Sequence, residues 1–435
     1  MNFSSLDLAP EISKALEACG YSKLTPVQEK AIVAGRRGKD LLAIAQTGTG
    51  KTAAYALPVL QQLLDKAPSE DSKSPRALVL TPTRELAEQL SHTVGAYAQY
   101  SGLAITSVYG GVKMGGQAAK LRAGIDVLIA TPGRLLEHIA QGNAVLSAVE
   151  HVVLDECDRM LDMGFIADVH TLLGYCAKKR QTLMFSATLS SAVNELSHKL
   201  LNNHQEIRIS KDNVTADTVD HVLYAVDEDR KIDLFVDLLR QYNWYQVLVF
   251  TSTKGQADAL AAKLKQYRAA VCHGDKSQGT RRRALADFKA GKLQVLIATE
   301  VAARGLDIEG LEHVINYNLP FLAEDYVHRI GRTGRAGNKG HAISFVSRDE
   351  ERSLVAIERL IGHKIKRLHR RGFEASNRQS LIKRVSKGKN LRSNRASATN
   401  IAQETDKGFI PRTAKPSKLK PKRSVGSIKK QSKKR

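Results

Sequence analysis

Short, almost wholly apolar runs recur along this chain, each followed by a turn and then a stretch with helical spacing. In the first half they are Asp40–Ala45, Ala77–Thr81, Asp126–Thr131, His151–Asp155 and Thr182–Ser186. In the second half they are Gln246–Thr251, Ala269–His273, Gln294–Thr299, His313–Asn316 and His341–Val346. Runs this short and this rich in Val, Leu and Ile suit strands buried on both faces of a parallel sheet. Segments such as Glu85–Tyr97 and Gln256–Tyr267 between them carry helical periodicity. Strand and helix in alternation specify an α/β architecture. The pattern runs twice, so two sheet domains are expected, at 1–209 and 219–368, with the polar stretch 210–218 as a linker.

Strand signals stop after Leu368. Arg371–Arg435 holds 20 Lys and Arg against 3 Asp and Glu, which leaves only +6 of the total +23 on the first 370 residues. The last section is mostly Lys, Arg, Ser and Pro, so 369–435 is expected to be a disordered basic tail. A charge excess of this kind points to a polyanion, nucleic acid or an acidic membrane surface. No stretch approaches an apolar membrane span, and the N-terminal residues lack the pattern of a secretory signal. Cys19, Cys157, Cys176 and Cys272 are scattered without CxxC spacing. That usage fits reduced thiols in a cytosolic protein rather than a zinc site or disulfide frame.

Two motifs carry chemistry. Ala45-Gln46-Thr47-Gly48-Thr49-Gly50-Lys51-Thr52 follows one buried run and opens a helix. It has the G-x-x-x-x-G-K-[ST] spacing of a P-loop, with Ala45 in place of the first glycine. Small residues let backbone N–H groups turn toward phosphate oxygens at a helix N-terminus. Lys51 can reach the β- and γ-phosphates and Thr52 can ligate Mg²⁺. About a hundred residues on, Asp155-Glu156-Cys157-Asp158 ends another apolar run. Asp155 would hold Mg²⁺, and Glu156 would be the general base that activates the attacking water.

With these in place the chain resembles the DEAD-box RNA helicases over roughly Phe3–Leu368, and its compact core with a basic tail resembles the bacterial RhlE-type members, with Cys157 where the family name has Ala. The resemblance implies two tandem RecA-like parallel-sheet domains, ATP and Mg²⁺ as cofactors, and RNA held through its backbone with low sequence specificity. Gly20–Gln28 is similar to the Q motif, in which Gln28 would read the adenine edge and Phe3 or Tyr21 would pack near the base. Pro82-Thr83-Arg84, Gly110-Gly111 and Thr131-Pro132-Gly133-Arg134 resemble motif Ia, the GG motif and motif Ib, and would grip one RNA strand. Ser186-Ala187-Thr188 resembles motif III, which couples the two functions. Beyond the linker, Thr251 lies in a motif IV-like segment, and Gln278 and Arg281 fit Q-x-x-R. Ala298–Asp307 resembles motif V, with Thr299 and Gly305 on RNA and Asp307 on the ribose of ATP. His328–Arg335 resembles motif VI: Arg332 and Arg335 would be arginine fingers, His328 a coupling residue and Arg329 a further RNA contact.

The function so implied is RNA-stimulated ATP hydrolysis coupled to local unwinding of short RNA duplexes or RNP remodelling, in the cytoplasm. Ribosomal precursor particles or RNA-decay proteins are the expected partners, and a membrane is not. An ATP-gated RNA clamp and a DNA-directed translocase of the same superfamily are the rival readings. The tail is expected to add non-specific RNA affinity with its own salt dependence.

Overall fold

The computed structural model describes residues 1–46, 48–66, 74–209, 219–303, 308, 310–334 and 339–375. The expected linker 210–218 and the tail from 376 onward lie outside the described residues, as do the site candidates Thr47, Gly305, Asp307 and Arg335.

Fourteen strands are described. They are β1 (Leu41–Ile44), β2 (Ala77–Leu80), β3 (Ile105–Val108), β4 (Val127–Ala130), β5 (His151–Leu154), β6 (Gln181–Ser186), β7 (Gln205–Arg208), β8 (Val219–Ala225), β9 (Val247–Thr251), β10 (Ala269–Cys272), β11 (Val295–Thr299), β12 (His313–Asn316), β13 (Gly340–Val346) and β14 (Lys366–Leu368). They form two seven-stranded parallel sheets, in the orders β3-β4-β2-β5-β6-β1-β7 and β10-β11-β9-β12-β13-β8-β14. If β8 is counted as the first strand of the second sheet, the two orders are the same. The repeat seen in the sequence is therefore a repeat of topology, and each unit is a RecA-like domain.

Every strand foreseen from the apolar runs is present. Those not foreseen are β3, β7, β8 and β14. β3, β7, and β14 are edge strands, with a neighbour on one side only, and tolerate polar residues; β7 buries just Ile207. β8 begins directly after the polar stretch, which blurred its start.

Helices cover both sheet faces, and the described core forms two clusters in the first domain and three in the second. In the first domain Tyr55, Leu57 and Phe185 fill one side, and Leu80, Leu154, Cys157 and Met184 the other. In the second domain Trp244 and Phe345 anchor one layer and Phe250 and Phe288 another. The second domain runs past the boundary expected at 368. Arg370 pairs with Asp237 at 2.7 Å and Phe373 packs on the Trp244 layer, so 369–375 belong to the second domain. Composition concealed this because a single aromatic among basic residues has no periodicity.

Candidate ATP and RNA site

In parallel α/β sheets the functional loops leave the carboxyl ends of the strands, and the strand order decides which loops become neighbours. Across the first sheet the edge carries, in turn, Gly110-Gly111 after β3, Thr131 after β4, Pro82-Thr83 after β2, Asp155 after β5, Ser186-Ala187-Thr188 at the end of β6, and Ala45 after β1. The residues expected to hold RNA occupy one half of this edge. Those expected to hold ATP occupy the other, and Asp155 lies between. The ladder continues into the loops: the Ala45 amide donates to the Ser186 carbonyl (3.0 Å) and the Asp155 amide to the Leu80 carbonyl (2.9 Å).

The P-loop is built as its glycines require. Gly48 and Gly50 take φ of +83° and +89°, whereas Ala45 keeps an ordinary backbone, so the missing first glycine is harmless. Gly50 caps the helix Lys51–Asp65, leaving that helix's first N–H groups to face a ligand. Lys51 is 8% exposed and its Nζ is buried with no hydrogen-bond partner among the described residues. A buried ammonium lacking an acceptor at a helix N-terminus fits a phosphate group. Thr52 sits beside the Tyr55 hydroxyl, which donates to Asp155 Oδ2 at 3.0 Å.

Gln28 connects this loop to the N-terminal segment. Its Oε1 accepts from the Thr25 amide at 2.9 Å and its Nε2 donates to the Gly50 carbonyl at 3.1 Å. An amide of this kind has one N–H and one lone pair beyond those two bonds, the donor and acceptor that an adenine edge needs. Phe3 and Tyr21 meet edge to face at 5.3 Å. Phe3 is buried in the core, and the Tyr21 hydroxyl is 2.7 Å from that of Tyr97, so Tyr21 is the more accessible ring.

In the Asp155–Asp158 segment, the expected hydrolysis box, Glu156 adopts φ +56°, a left-handed conformation that non-glycine residues rarely take and that concentrates at functional positions. Burial pushes the carboxyls of Asp155 and Glu156 above the ordinary range, the Asp155 charge raises Glu156 further, Asp158 adds to both, and the Lys51 ammonium pulls both back. Two acids, a lysine and a threonine hydroxyl within one loop cluster form a donor set suited to Mg²⁺ and a nucleotide triphosphate. Cys157 points into the core and its Sγ donates to the Leu154 carbonyl at 3.2 Å, away from this chemistry. Asp158 holds motif III: its Oδ2 accepts from the amides of Ala187 and Thr188 and from the Thr188 hydroxyl.

On the other half of the edge, Arg84 lies against the backbone of Gly110 and Gly111, and a side chain at 111 would displace its guanidinium. Thr83 caps the helix Arg84–Tyr97 by accepting from the Leu86 amide. Arg134 Nη1 donates to the Val112 carbonyl at 3.1 Å and its Nε faces Glu137 at 3.0 Å. Pro82 and Thr131 are buried, Pro132 starts the helix Pro132–Ala140, and Gly133 is half-buried in its first turn.

The second domain corrects several expectations. Arg329 is not on an RNA face. It is 2% exposed, its Nε donates to Glu300 (2.5 Å), its Nη1 to Asn316 (3.1 Å) and the Asn318 carbonyl (2.7 Å), and it lies over the Phe250 ring. It ties motif V to motif VI inside the domain. Thr251 is fully buried, with its hydroxyl turned toward the Thr253 carbonyl, so its side chain does not face RNA. Thr299 ends β11 and is 8% exposed. Gln278 and Arg281, on the helix Gln278–Lys289, both reach Glu85 Oε1 of the first domain at 2.9 Å, and Arg282 reaches Glu88 at 2.8 Å. Here they bind the partner domain.

A second contact between the domains lies at the ATP end. Arg159, next to Asp158, meets Asp325 and His328 on the helix Ala323–Ile330, which leads directly into Arg332. A cavity of about 710 Å³ opens there, with Ala45, Gln46, Asp158 and Thr188 on one wall and Asp325 and His328 on the other. Arg332 is 8% exposed, its amide bonded to the Arg329 carbonyl and its carbonyl to the Leu311 amide. Glu85, Arg159 and Asp325 were missed in the sequence because each is a common charged residue on a helix, and only the docking of two domains gives it a partner across the interface.

Comparison with known proteins agrees with this architecture. Residues 25–196 match the DEAD/DEAH box helicase family and residues 230–337 the helicase conserved C-terminal domain. The chain is 43% identical over 372 residues to the ATP-dependent RNA helicase RhlB of Xanthomonas oryzae pv. oryzae, covering 84% of this chain but only 65% of that relative's length. It is 42% identical over 370 residues to RhlB of Pseudomonas aeruginosa, covering 83% of this chain and 93% of that protein. The fold is similar to S. cerevisiae Dbp5 bound to RNA and ADP BeF3, with a TM-score of 0.74 and 31% identity over 84% of this chain and 95% of that one. With both family regions, both sheets and the motif-bearing edge accounted for, the chain belongs to the DEAD/DEAH box helicase family.

Proposed function

We propose that the chain is an ATP-dependent RNA helicase that couples RNA-stimulated ATP hydrolysis to local duplex opening or RNP remodelling. The observation that carries this reading is the position of Arg332. It lies in the second domain, on a turn whose preceding helix is docked against the hydrolysis box of the first. An ATP site divided in this way is complete only when the domains meet, and RNA bound across both would favour that meeting.

Gln28 would select adenine, Lys51 and the loop amides would hold the β- and γ-phosphates, and Asp307 would take the ribose. Thr52 and Asp155 would hold Mg²⁺, which when bound supplies charge neutralisation on the phosphates. Glu156 would orient the attacking water and accept its proton, while Arg332 and Arg335 would meet the charge that develops on the γ-phosphoryl oxygens. RNA would run across Arg84, Gly110-Gly111 and Thr131–Arg134. It would be held through phosphates and 2′-OH groups, with little sequence preference. The resemblance to an RNA-bound, nucleotide-bound fold supports RNA as the polyanion. ATP and RNA would each raise the other's affinity. A cytoplasmic setting, ribosomal precursors or RNA-decay assemblies as partners, and the narrower RhlE-type placement complete the proposal.

The test is ATP turnover by the full chain with no nucleic acid, with RNA and with DNA of the same sequence, alongside displacement of a short RNA duplex. RNA should stimulate hydrolysis and DNA should not. Glu156→Gln should abolish turnover while still binding ATP and RNA. Equal stimulation by DNA overturns the RNA assignment, and hydrolysis without strand displacement leaves an ATP-gated clamp.

A further inference from the structure

Arg159 stands one residue past the hydrolysis box, on the short helix Cys157–Asp162, and is 5% exposed. Its neighbour Asp158 holds motif III. Its own guanidinium crosses to the second domain, where Nη1 meets the Asp325 carboxylate and Nη2 meets His328 Nδ1. Asp162 on its own helix is the third partner, at 3.4 Å. Asp325 is itself 5% exposed and lies 3.9 Å from His328, so one buried acid and one imidazole are both organised by this guanidinium. The Asp325 charge raises the arginine's affinity for its proton further, against the opposing effect of burial.

The chemistry selects arginine at this position. A planar fork with several N–H groups can serve a carboxylate and an imidazole nitrogen at once, whereas an ammonium is a single point charge on a flexible stem. A guanidinium can only donate, so against Arg159 the Nδ1 of His328 serves as the acceptor. Buried ion pairs add little net stability, but removing one partner strands the other's charge. The contact therefore makes the relative placement of the two domains specific. The helix it grips, Ala323–Ile330, passes through Arg329, which is locked inside its own domain, into the turn that carries Arg332. A shift of that helix would move the finger with it.

We infer that Arg159 is a positioning residue for hydrolysis: it docks the motif VI helix onto the hydrolysis box through Asp325 and His328, and thereby sets where Arg332 meets the nucleotide. This rests on the function proposed above.

The experiment uses the full chain with one fluorophore on each domain, a non-hydrolysable ATP analogue and a single-stranded RNA, together with steady-state ATP turnover. Arg159→Ala should lower RNA-stimulated kcat by about tenfold or more, with the KM for ATP changed by less than about threefold, and should deplete the closed, high-transfer population. Arg159→Lys should restore part of the closure through Asp325 alone. The near-isosteric Asp325→Asn should reproduce the kcat loss without threatening the fold, and adding it to Arg159→Ala should cost little more, as expected for two halves of one contact. Unchanged closure and kcat in Arg159→Ala would overturn the inference. So would additive losses in the double variant, or a loss carried mainly by KM. If the wild-type chain closes on nucleotide and RNA but shows no RNA-stimulated turnover, the proposed function fails, while the closure measurements still decide the role of Arg159.

Discussion

One oxygen of Asp158 accepts hydrogen bonds from both the amide and the hydroxyl of Thr188, each at 3.1 Å. The hydrolysis box and motif III are thus joined through a single carboxylate, beside the residue that reaches the second domain. Thr188→Val removes the hydroxyl bond and keeps the shape. A net loss of roughly 1 kcal/mol is expected. Strand displacement should fall more than RNA-stimulated ATP turnover, and a parallel fall in both would show that Thr188 is not a coupling residue.

Gln28 bonds the Gly50 carbonyl through Nε2. Gln28→Glu replaces that donor with an oxygen facing another oxygen, in a side chain that is 2% exposed. The Gly50 carbonyl keeps its bond from the Ala54 amide, but the new carboxylate oxygen is buried without a donor, which costs about 1–3 kcal/mol. The affinity for ATP, measured by titration with a fluorescent analogue, should drop by roughly tenfold. An unaltered affinity would mean that neither the base nor the loop depends on this amide.

Arg329 is enclosed by Glu300, Asn316, Asn318 and Phe250. Arg329→Ala takes a cation from the part-buried Glu300 and a donor from Asn316 and the Asn318 carbonyl, and should destabilise the second domain by about 3 kcal/mol. Chemical denaturation should show this as a lower midpoint. The slope of RNA affinity against salt concentration should change little in the folded fraction, whereas a direct phosphate contact would lower that slope by about 0.7.

Four rings stack through the second domain, Tyr242 on Trp244, Trp244 on His313 and His313 on His341. His313 is fully buried, and burial with the neighbouring His341 pushes its pKa down to about 3. The unfolded chain takes up this proton near pH 6.5 and the folded chain does not. The unfolded state therefore binds more protons below pH 6.5, and stability is lost as pH falls from there toward 3. At pH 5.5 this residue should account for about 1.4 kcal/mol of that loss. Urea midpoints at pH 7.5 and 5.5 should differ less in His313→Phe than in the wild type, and an equal difference would remove His313 as the cause.

Much of the molecule is legible in its sequence. The apolar runs announce β1, β2, β5, β9, β11 and others because a strand buried on both faces has to be apolar at every position. The P-loop and the Asp155–Asp158 box are legible because phosphate and metal chemistry demands particular side chains at fixed local spacing, as at Gly50, Lys51 and Glu156. The edge strands β7 and β14 are less legible, since a strand with one neighbour can be polar.

What the tertiary structure alone decided is which motifs touch and what each charged residue faces. Strand order places Ser186 and Thr188 between Ala45 and Asp155, although some 140 residues separate Ala45 from Ser186 along the chain. Folding of the second domain closes Glu300, Asn316 and Asn318 around Arg329 and takes it away from RNA, although motif VI reads as uniformly basic. Docking gives Arg159 its partners in Asp325 and His328, and gives Gln278 and Arg281 theirs in Glu85. The physical reason is that local sequence fixes backbone preference and chemical capability, while the partner of a charge depends on which distant surface burial brings against it.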